Sequence, residues 1–123
     1  MNFEHTDKTK EIISLVSNFI DTRVRPREKE YNDAMATFRE SGDPWQVPQV
    51  LYELKKEAKD LGLWNFSLTG DLGYGLTNLE FAPLAEIMGV GWTSEVFNSS
   101  APDAGNMEVL DKYGSDYQKE KWL

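Results

Sequence analysis

The side chains that could carry out nucleophilic or acid–base chemistry lie far apart in this sequence. His5 is the single imidazole and precedes the first predicted helix, whereas Ser99 and Ser100 lie near the other end of the chain. A serine needs an adjacent base to become a nucleophile, and the sequence offers none beside these two. The 21 Asp and Glu residues are spread over helical surfaces, and no pair stands out as having two separated pKa values. We therefore expect no catalytic residue in this chain.

Composition excludes several other kinds of site. The chain has no cysteine and one histidine, so it cannot form a disulfide framework, a thiolate metal site or a multi-histidine zinc site. Thirteen Lys and Arg residues against 21 Asp and Glu residues give a net charge of −8, which disfavours nucleic acid and anionic membranes as partners. No apolar run is long enough to span a bilayer, and no secretory signal or metal site is predicted.

Two segments have compositions that suit a ligand. The glycine-rich loop 70–75 precedes a predicted helix, so an anion could bind there, but the loop has no lysine and a structural turn is the better interpretation. The second segment, 96–107, mixes small residues with one aromatic and lies inside a stretch, Asp60 to Asp111, that contains no Lys or Arg. Small residues there allow either tight helix packing or the wall of a narrow apolar slot.

Hydrophobic periodicity predicts helices throughout and no strand. The first helix should follow the N-cap residue Thr6 and end at Pro26, because the residue before a proline avoids helical geometry. Residues 27–46 are polar and are predicted to form a connection with a turn at Gly42. The next helix should end at Gly62 and bury one face, made of Val47, Val50, Leu51, Leu54, Ala58 and Leu61.

Two capping boxes predict further helix starts, one at Thr77 and one at Ser115. The first of these helices should end at Gly89, and Pro83 should kink it or delay its start. Residues 92–114 are predicted to form one or two helices around Pro102. The inward residues of the three helices should be Phe81, Leu84, Ala85 and Met88, then Met107, Leu110 and Tyr113, and finally Trp122 and Leu123.

The last predicted helix has only about two turns, and it ends on the core-type residues Trp122 and Leu123, where most chains are polar. We therefore expect residues 1–123 to be one domain of a longer protein. The predicted fold is all-α, an orthogonal or bundle-like domain of four to six helices.

Four stretches, in order along the chain, resemble the N-terminal helical domain of the acyl-CoA dehydrogenase family. They are EIISLVSNFIDTRVRPREKEY, LKKEAKDLGLWNFSL, GYGLTNLEFAPLAEIMG and VFNSSAPDAGNMEVLDKYGSDYQKEKWL. The resemblance covers essentially the whole chain and is greatest to the bacterial subgroup whose animal relatives are fused to a phosphotransferase-like kinase domain. The chain departs from the family pattern at Tyr74, where many members have adjacent glycines, and at Pro102 and Asp103.

The resemblance implies a flavoenzyme that removes hydrogen from Cα and Cβ of an acyl-CoA thioester and passes electrons to electron-transfer flavoprotein. It implies a cytoplasmic, bacterial homo-tetramer in which a middle β-domain and a C-terminal helical domain follow this one. FAD and the catalytic glutamate belong to those later parts, so residues 1–123 alone should be colourless and inactive.

Carried over from the family, the acyl-pocket wall comprises Val96, Phe97, Ser100, Ala101 and Ala104, with Asn98 and Ser99 as weaker candidates. The acyl chain length stays open, as does the choice between dehydrogenase and oxidase chemistry. The alternative is a non-enzymatic helical interaction module that ends naturally at Leu123 and presents Trp122 to a partner.

Overall fold

The computed structural model describes residues 4–70 and 72–123, and within these ranges it is helical without a strand. Six α-helices of seven or more residues occur in the described ranges: α1 Asp7–Phe19, α2 Glu28–Glu40, α3 Gln49–Asp60, α4 Asn78–Met88, α5 Asp103–Tyr113 and α6 Asp116–Trp122. A single helical turn, Thr93–Val96, lies between α4 and α5. The predicted all-α class and helix number are confirmed. No helix among the described residues is long and apolar enough to cross a membrane.

The hydrophobic core lies between α1, α3, α4 and the helical turn 93–96. Helix α1 packs against α4, and α3 packs against the helical turn. Val16, Leu54 and Leu84 are each 0% exposed, and complete burial of such a side chain stabilises the fold by about 1.5–3 kcal/mol. These three residues come from three different helices, so the core depends on long-range packing.

The expectation that helical structure stops at Pro26 is wrong. Residues Ile20–Val24 form a π-helical turn, Arg25–Arg27 form a 3₁₀ turn, and α2 follows directly. Proline lacks a backbone N–H and crowds the preceding turn. The wide π-helical turn and the tight 3₁₀ turn that follows it make room for the proline ring, and Arg25 keeps right-handed helical dihedral angles.

Helix α2 replaces the predicted connection 27–46. It has no fully buried residue, which explains why its apolar pattern is weak, although Tyr31, Ala34 and Phe38 lie on one half-buried stripe. The Tyr31 ring stacks on Trp92 with 4.1 Å between ring centroids. The Arg27 guanidinium donates to Glu30 at 2.9 Å and to Glu53 of α3 at 2.7 Å. These contacts fix α2 against the rest of the domain.

Helices α3 and α4 follow the prediction with three corrections. Gly62 has a φ of +74°, as its predicted role in ending a helix requires. Val47 and Leu61 lie outside α3 and are exposed, because the helix is shorter than the apolar pattern. Helix α4 begins at the Thr77 capping box, so a late start caused by Pro83 is wrong. Ala85, predicted to face inward, is also exposed.

The C-terminal pair α5–α6 is capped as predicted but buries less than expected. Met107 is buried, whereas Tyr113 is 81% exposed and Trp122 is 64% exposed. The two helices pack mainly against each other, and Met107 is their one fully buried side chain. The prediction that Tyr113 and Trp122 face inward is therefore wrong, and Leu123 is half-buried.

Candidate functional site

The predicted wall residues fall into two groups, and the first belongs to the core. Val96 and Phe97 are each 0% exposed. The Phe97 ring meets Phe19 edge-on with 5.6 Å between centroids and lies 6.0 Å from Phe66. Such aromatic contacts add to the stabilisation from burial. Val96 and Phe97 therefore form a rigid floor beneath the segment that follows them.

The second group comprises Ser100 and Ala101, on the connection between the helical turn 93–96 and α5, and Ala104, in the first turn of α5. Ser100 and Ala104 are half-buried and Ala101 is exposed. The Ala104 N–H donates to the Ser100 carbonyl at 2.9 Å, and the Ser100 hydroxyl donates to the Ala101 carbonyl at 3.2 Å. The peptide bond between Ala101 and Pro102 is cis. Because the Ser100 hydroxyl bonds to backbone rather than to a base, this connection offers small surfaces and no nucleophile.

Asn98 connects this segment to two other parts of the molecule. Its side-chain amide donates to the Asn65 Oδ1 at 2.8 Å and to the Met107 sulfur at 2.9 Å. The Asn65 N–H donates in turn to the Phe97 carbonyl at 3.2 Å. Sequence reasoning did not identify Asn65, although a lone amide between Trp64 and Phe66 is a sign of a buried polar contact.

A groove of about 260 Å³ borders the connection and is open to solvent. Its walls carry one carboxylate and no Lys or Arg, and they are formed by Asn98, Asp103, Asn106, Met107, Leu110 and Trp122. A second cavity, of about 290 Å³, lies against Trp92 and carries Arg25 and Glu28 on its wall, but none of the predicted wall residues lines it. The groove is formed in part by residues of the segment 96–107, including the weaker candidate Asn98, but the lining does not include the five predicted wall residues Val96, Phe97, Ser100, Ala101 and Ala104.

The glycine loop does not fit a flavin nucleotide, whose pyrophosphate needs cations or free backbone N–H groups. A Cβ at Gly73 would overlap the Leu68 carbonyl oxygen, and a Cβ at Gly70 would lie 2.5 Å from a carboxylate oxygen of Asp111. Glycine at both positions is explained by packing within the chain, and the Asp111 carboxylate would repel phosphate. In the described ranges, no group of three His, Asp or Glu residues could hold a metal ion.

Shifted pKa values lie away from the candidate segment. Burial raises the pKa of the Tyr31 and Tyr74 phenols, and nearby Glu95 and Glu11 respectively add to the effect. Hydrogen bonds from the Thr77 N–H and hydroxyl lower the pKa of Glu80. Tyr31 and Tyr74 stay protonated and Glu80 stays ionised near neutral pH, so none of them is poised for proton transfer.

Comparison with known proteins gives one consistent result. A family model, "Acyl-CoA dehydrogenase, N-terminal domain", matches residues 6–123. The chain is 44% identical over 112 residues to mouse "Acyl-CoA dehydrogenase family member 10", covering 85% of this chain and 10% of that protein. It is 39% identical over 129 residues to "Probable acyl-CoA dehydrogenase FadE2" of Mycobacterium tuberculosis, covering 100% and 30% respectively.

A solved structure shows the same similarity. It is assigned as an acyl-CoA dehydrogenase from Mycobacterium abscessus and superposes with a TM-score of 0.84 at 42% identity, covering 98% of this chain and 31% of that one. The chain thus spans between 10% and 31% of the length of these three proteins.

Proposed function

Because the chain belongs to the acyl-CoA dehydrogenase family and matches its N-terminal domain, we propose that it forms one wall of the acyl-chain pocket in an FAD-dependent dehydrogenase. The observation that carries this proposal is the segment 98–104, in which small side chains, with Asp103 as the one charged residue, directly follow the buried aromatic residue Phe97. In this proposal residues 1–123 are one domain, and a middle β-domain and a C-terminal helical domain complete the enzyme.

The composition of the segment matches an acyl tail better than a coenzyme phosphate. Removing one methylene from water is worth about 0.8 kcal/mol, which small apolar surfaces such as those of Ala101 and Ala104 can supply. No Lys or Arg occurs between Asp60 and Asp111, so no cation of that stretch could bind phosphate. The CoA end of the substrate would therefore lie against other parts of the enzyme.

The glycine loop does not fit a flavin nucleotide, and in this proposal the flavin and the base that removes the α-proton belong to other parts of the enzyme. In this proposal the chain binds the acyl tail and limits its length, while other groups oxidise the Cα–Cβ bond. Transfer of electrons to electron-transfer flavoprotein, a homo-tetrameric assembly and a cytoplasmic location are further parts of the proposal.

A substitution that narrows the slot tests the proposal. Ala104→Leu in the full-length enzyme should lower kcat/KM for long acyl-CoA substrates by about tenfold relative to short ones, because the added methylenes occupy space near the tail. A dye-linked assay over a series of acyl lengths measures this ratio. Ala36→Leu, at an exposed position of α2, is the matched control and should leave the ratio unchanged.

Three further results decide the outcome. A full-length enzyme that oxidises no acyl-CoA would refute the function, and an unchanged length profile in Ala104→Leu would refute the wall assignment. The isolated chain 1–123 should be colourless and inactive, and flavin bound to it would contradict the assignment of FAD to other domains. A non-enzymatic interaction module, the alternative favoured by the exposed Trp122, predicts no oxidation in any of these assays.

A further inference from the structure

Two asparagines, one inside the candidate segment and one in the loop after α3, have unusual backbone conformations. Asn65 has a φ of +57° and Asn98 a φ of +53°, and they are the non-glycine residues with positive φ in the described ranges. Most side chains disfavour this left-handed region, whereas asparagine tolerates it better than other residues with a Cβ. The chain therefore turns sharply at both points, and at each point an amide side chain is available for hydrogen bonding.

The neighbouring groups determine which of the two amides donates the hydrogen bond between them. The Asn65 Nδ2 donates to the Leu72 carbonyl at 3.4 Å, so the Asn65 Oδ1 is the atom that faces Asn98. The Asn98 Nδ2 then donates both to that oxygen and to the Met107 sulfur, and each of these two atoms can only accept. Asn65 is 2% exposed, so the Asn65 end of this network is shielded from competition by water.

We propose that Asn98 is a positioning residue for the wall of the acyl-chain pocket. Its side-chain amide connects the turn that contains Ser100 and Ala101 to α5 through Met107, and it connects the same turn to the loop that contains Asn65. The proposal rests on the proposed function. Asn98 and Met107 both line the groove beside this turn, so the hydrogen bond that joins them sets the distance between two of its walls.

The fold itself does not need this amide. Phe97 is held by the rings of Phe19 and Phe66, and the backbone at Asn98 and Ser99 is held by N–H bonds to the carbonyls of Glu95 at 3.1 Å and Ser94 at 3.0 Å. None of those contacts involves the Asn98 side chain. The contact that the Asn98 side chain makes with α5 is additional to them, so its loss should loosen the slot and leave the core packed.

Asn98→Gly in the full-length, flavin-loaded enzyme tests the effect of the side-chain amide while the backbone conformation is kept. Glycine adopts positive φ without strain, so the variant keeps the turn and loses the side-chain amide together with its hydrogen bonds. We expect the ratio of kcat/KM between long and short acyl-CoA substrates to change roughly tenfold, with KM affected more than kcat, since a slot that is misplaced weakens binding of the tail. The visible flavin spectrum should be unchanged.

Two further variants test the same hydrogen bonds differently. Asn98→Asp keeps the shape but turns an acceptor toward the Asn65 Oδ1, so it should shift the length profile at least as far as Asn98→Gly. Met107→Leu conserves side-chain volume and removes only the sulfur acceptor, so it should shift the profile in the same direction by a smaller factor. Met107→Leu also keeps the test valid if the Asn98 variants fold poorly.

The matched control is Asn18→Gly, the same substitution at an exposed position of α1. It should lower the melting temperature without moving the length profile. A wild-type profile in Asn98→Gly and Met107→Leu, or an equal shift in Asn18→Gly, would overturn the positioning role while the wild-type enzyme still oxidises acyl-CoA. Failure of the wild-type enzyme to oxidise any acyl-CoA would instead overturn the proposed function, and this proposal with it.

Discussion

Helices α4 and α6 begin with the same local structure yet contribute very differently to the fold. Each has a complete capping box, formed by Thr77 and Glu80 in α4 and by Ser115 and Gln118 in α6. Helix α4 buries Leu84 and Met88 in the core, whereas α6 buries none of its residues. The capping box therefore determines where a helix starts, and long-range packing determines how much that helix stabilises the domain.

The same contrast extends to the two halves of the chain. The core half, residues 6–97, contains the buried cluster, and the C-terminal pair α5–α6 contributes Met107 as its buried side chain. The proposed slot lies at the boundary between these halves, with Phe97 on one side and Met107 on the other. Because Phe97 is packed in the core and α5–α6 has a single buried side chain, the slot would be able to change width while the core stays folded.

The largest expected difference between the halves is in the cost of removing an aromatic side chain. Phe66 is 1% exposed and packs against Tyr74 and Phe97. Phe66→Ala should lower the free energy of unfolding by about 3–5 kcal/mol, since it removes buried area and leaves a cavity. Urea denaturation followed by circular dichroism measures this change in the isolated chain or in the full-length enzyme.

Trp122→Ala is the matched change in the C-terminal pair. It removes a larger ring, but that ring is 64% exposed, so the free energy of unfolding of the isolated chain should change by no more than about 0.5 kcal/mol. Equal losses for the two variants would show that α5–α6 is as much a part of the core as α1, α3 and α4.

Much of the fold was predictable because it depends on local signals. Capping boxes, the left-handed Gly62 and the stripes of α1, α3 and α4 are all visible within a few residues of one another. Helix α2 was missed because two irregular turns accommodate Pro26, and because its stripe is only half-buried. The pattern wrongly predicts that Tyr113 and Trp122 face inward, because an apolar residue at a helical position does not reveal whether a partner surface lies opposite it.

The candidate site was less predictable than the helices for a related reason. Residue types indicate a segment of small residues in a stretch without Lys or Arg, and the resemblance assigns its role. The contact between Asn98 and Asn65 joins residues 33 positions apart, and no spacing rule covers such a pair. Two left-handed asparagines become recognisable as a unit only when the fold brings their loops together.

A smaller difference between the halves should come from removing each N-cap. Thr77→Ala should destabilise the whole domain by about 1 kcal/mol, because α4 buries Leu84 and Met88 in the core. Ser115→Ala removes an equivalent hydrogen bond, but it should only fray α6 and leave the unfolding midpoint nearly unchanged. Amide hydrogen exchange distinguishes the two, since protection should fall throughout the core in the first variant and only in α6 in the second. Core-wide loss of protection in Ser115→Ala would contradict the comparison.

The smallest expected effect comes from a chemical difference between the two capping boxes, since one contains Glu80 and the other contains Gln118. Glu80 accepts from the Thr77 N–H and hydroxyl at 2.9 Å each, and these bonds lower its pKa from the ordinary value of 4.5. A lowered folded-state pKa contributes stability that is present above the unfolded-state pKa and is lost as pH falls through the folded-state pKa. Gln118 occupies the equivalent position in α6 and does not titrate. Acid should therefore weaken the box of α4 and leave that of α6 intact.

Glu80→Gln makes the first box resemble the second. Glutamine can still accept the backbone bond but carries no charge, so the variant should lose less stability than wild type when pH is lowered from about 6 to about 3. Urea midpoints across that range measure the slope. Glu86→Gln, an exposed position further along the same helix, controls for the general loss of a negative charge. If both variants flattened the slope equally, net charge rather than the capping contact would govern the response of this domain to acid.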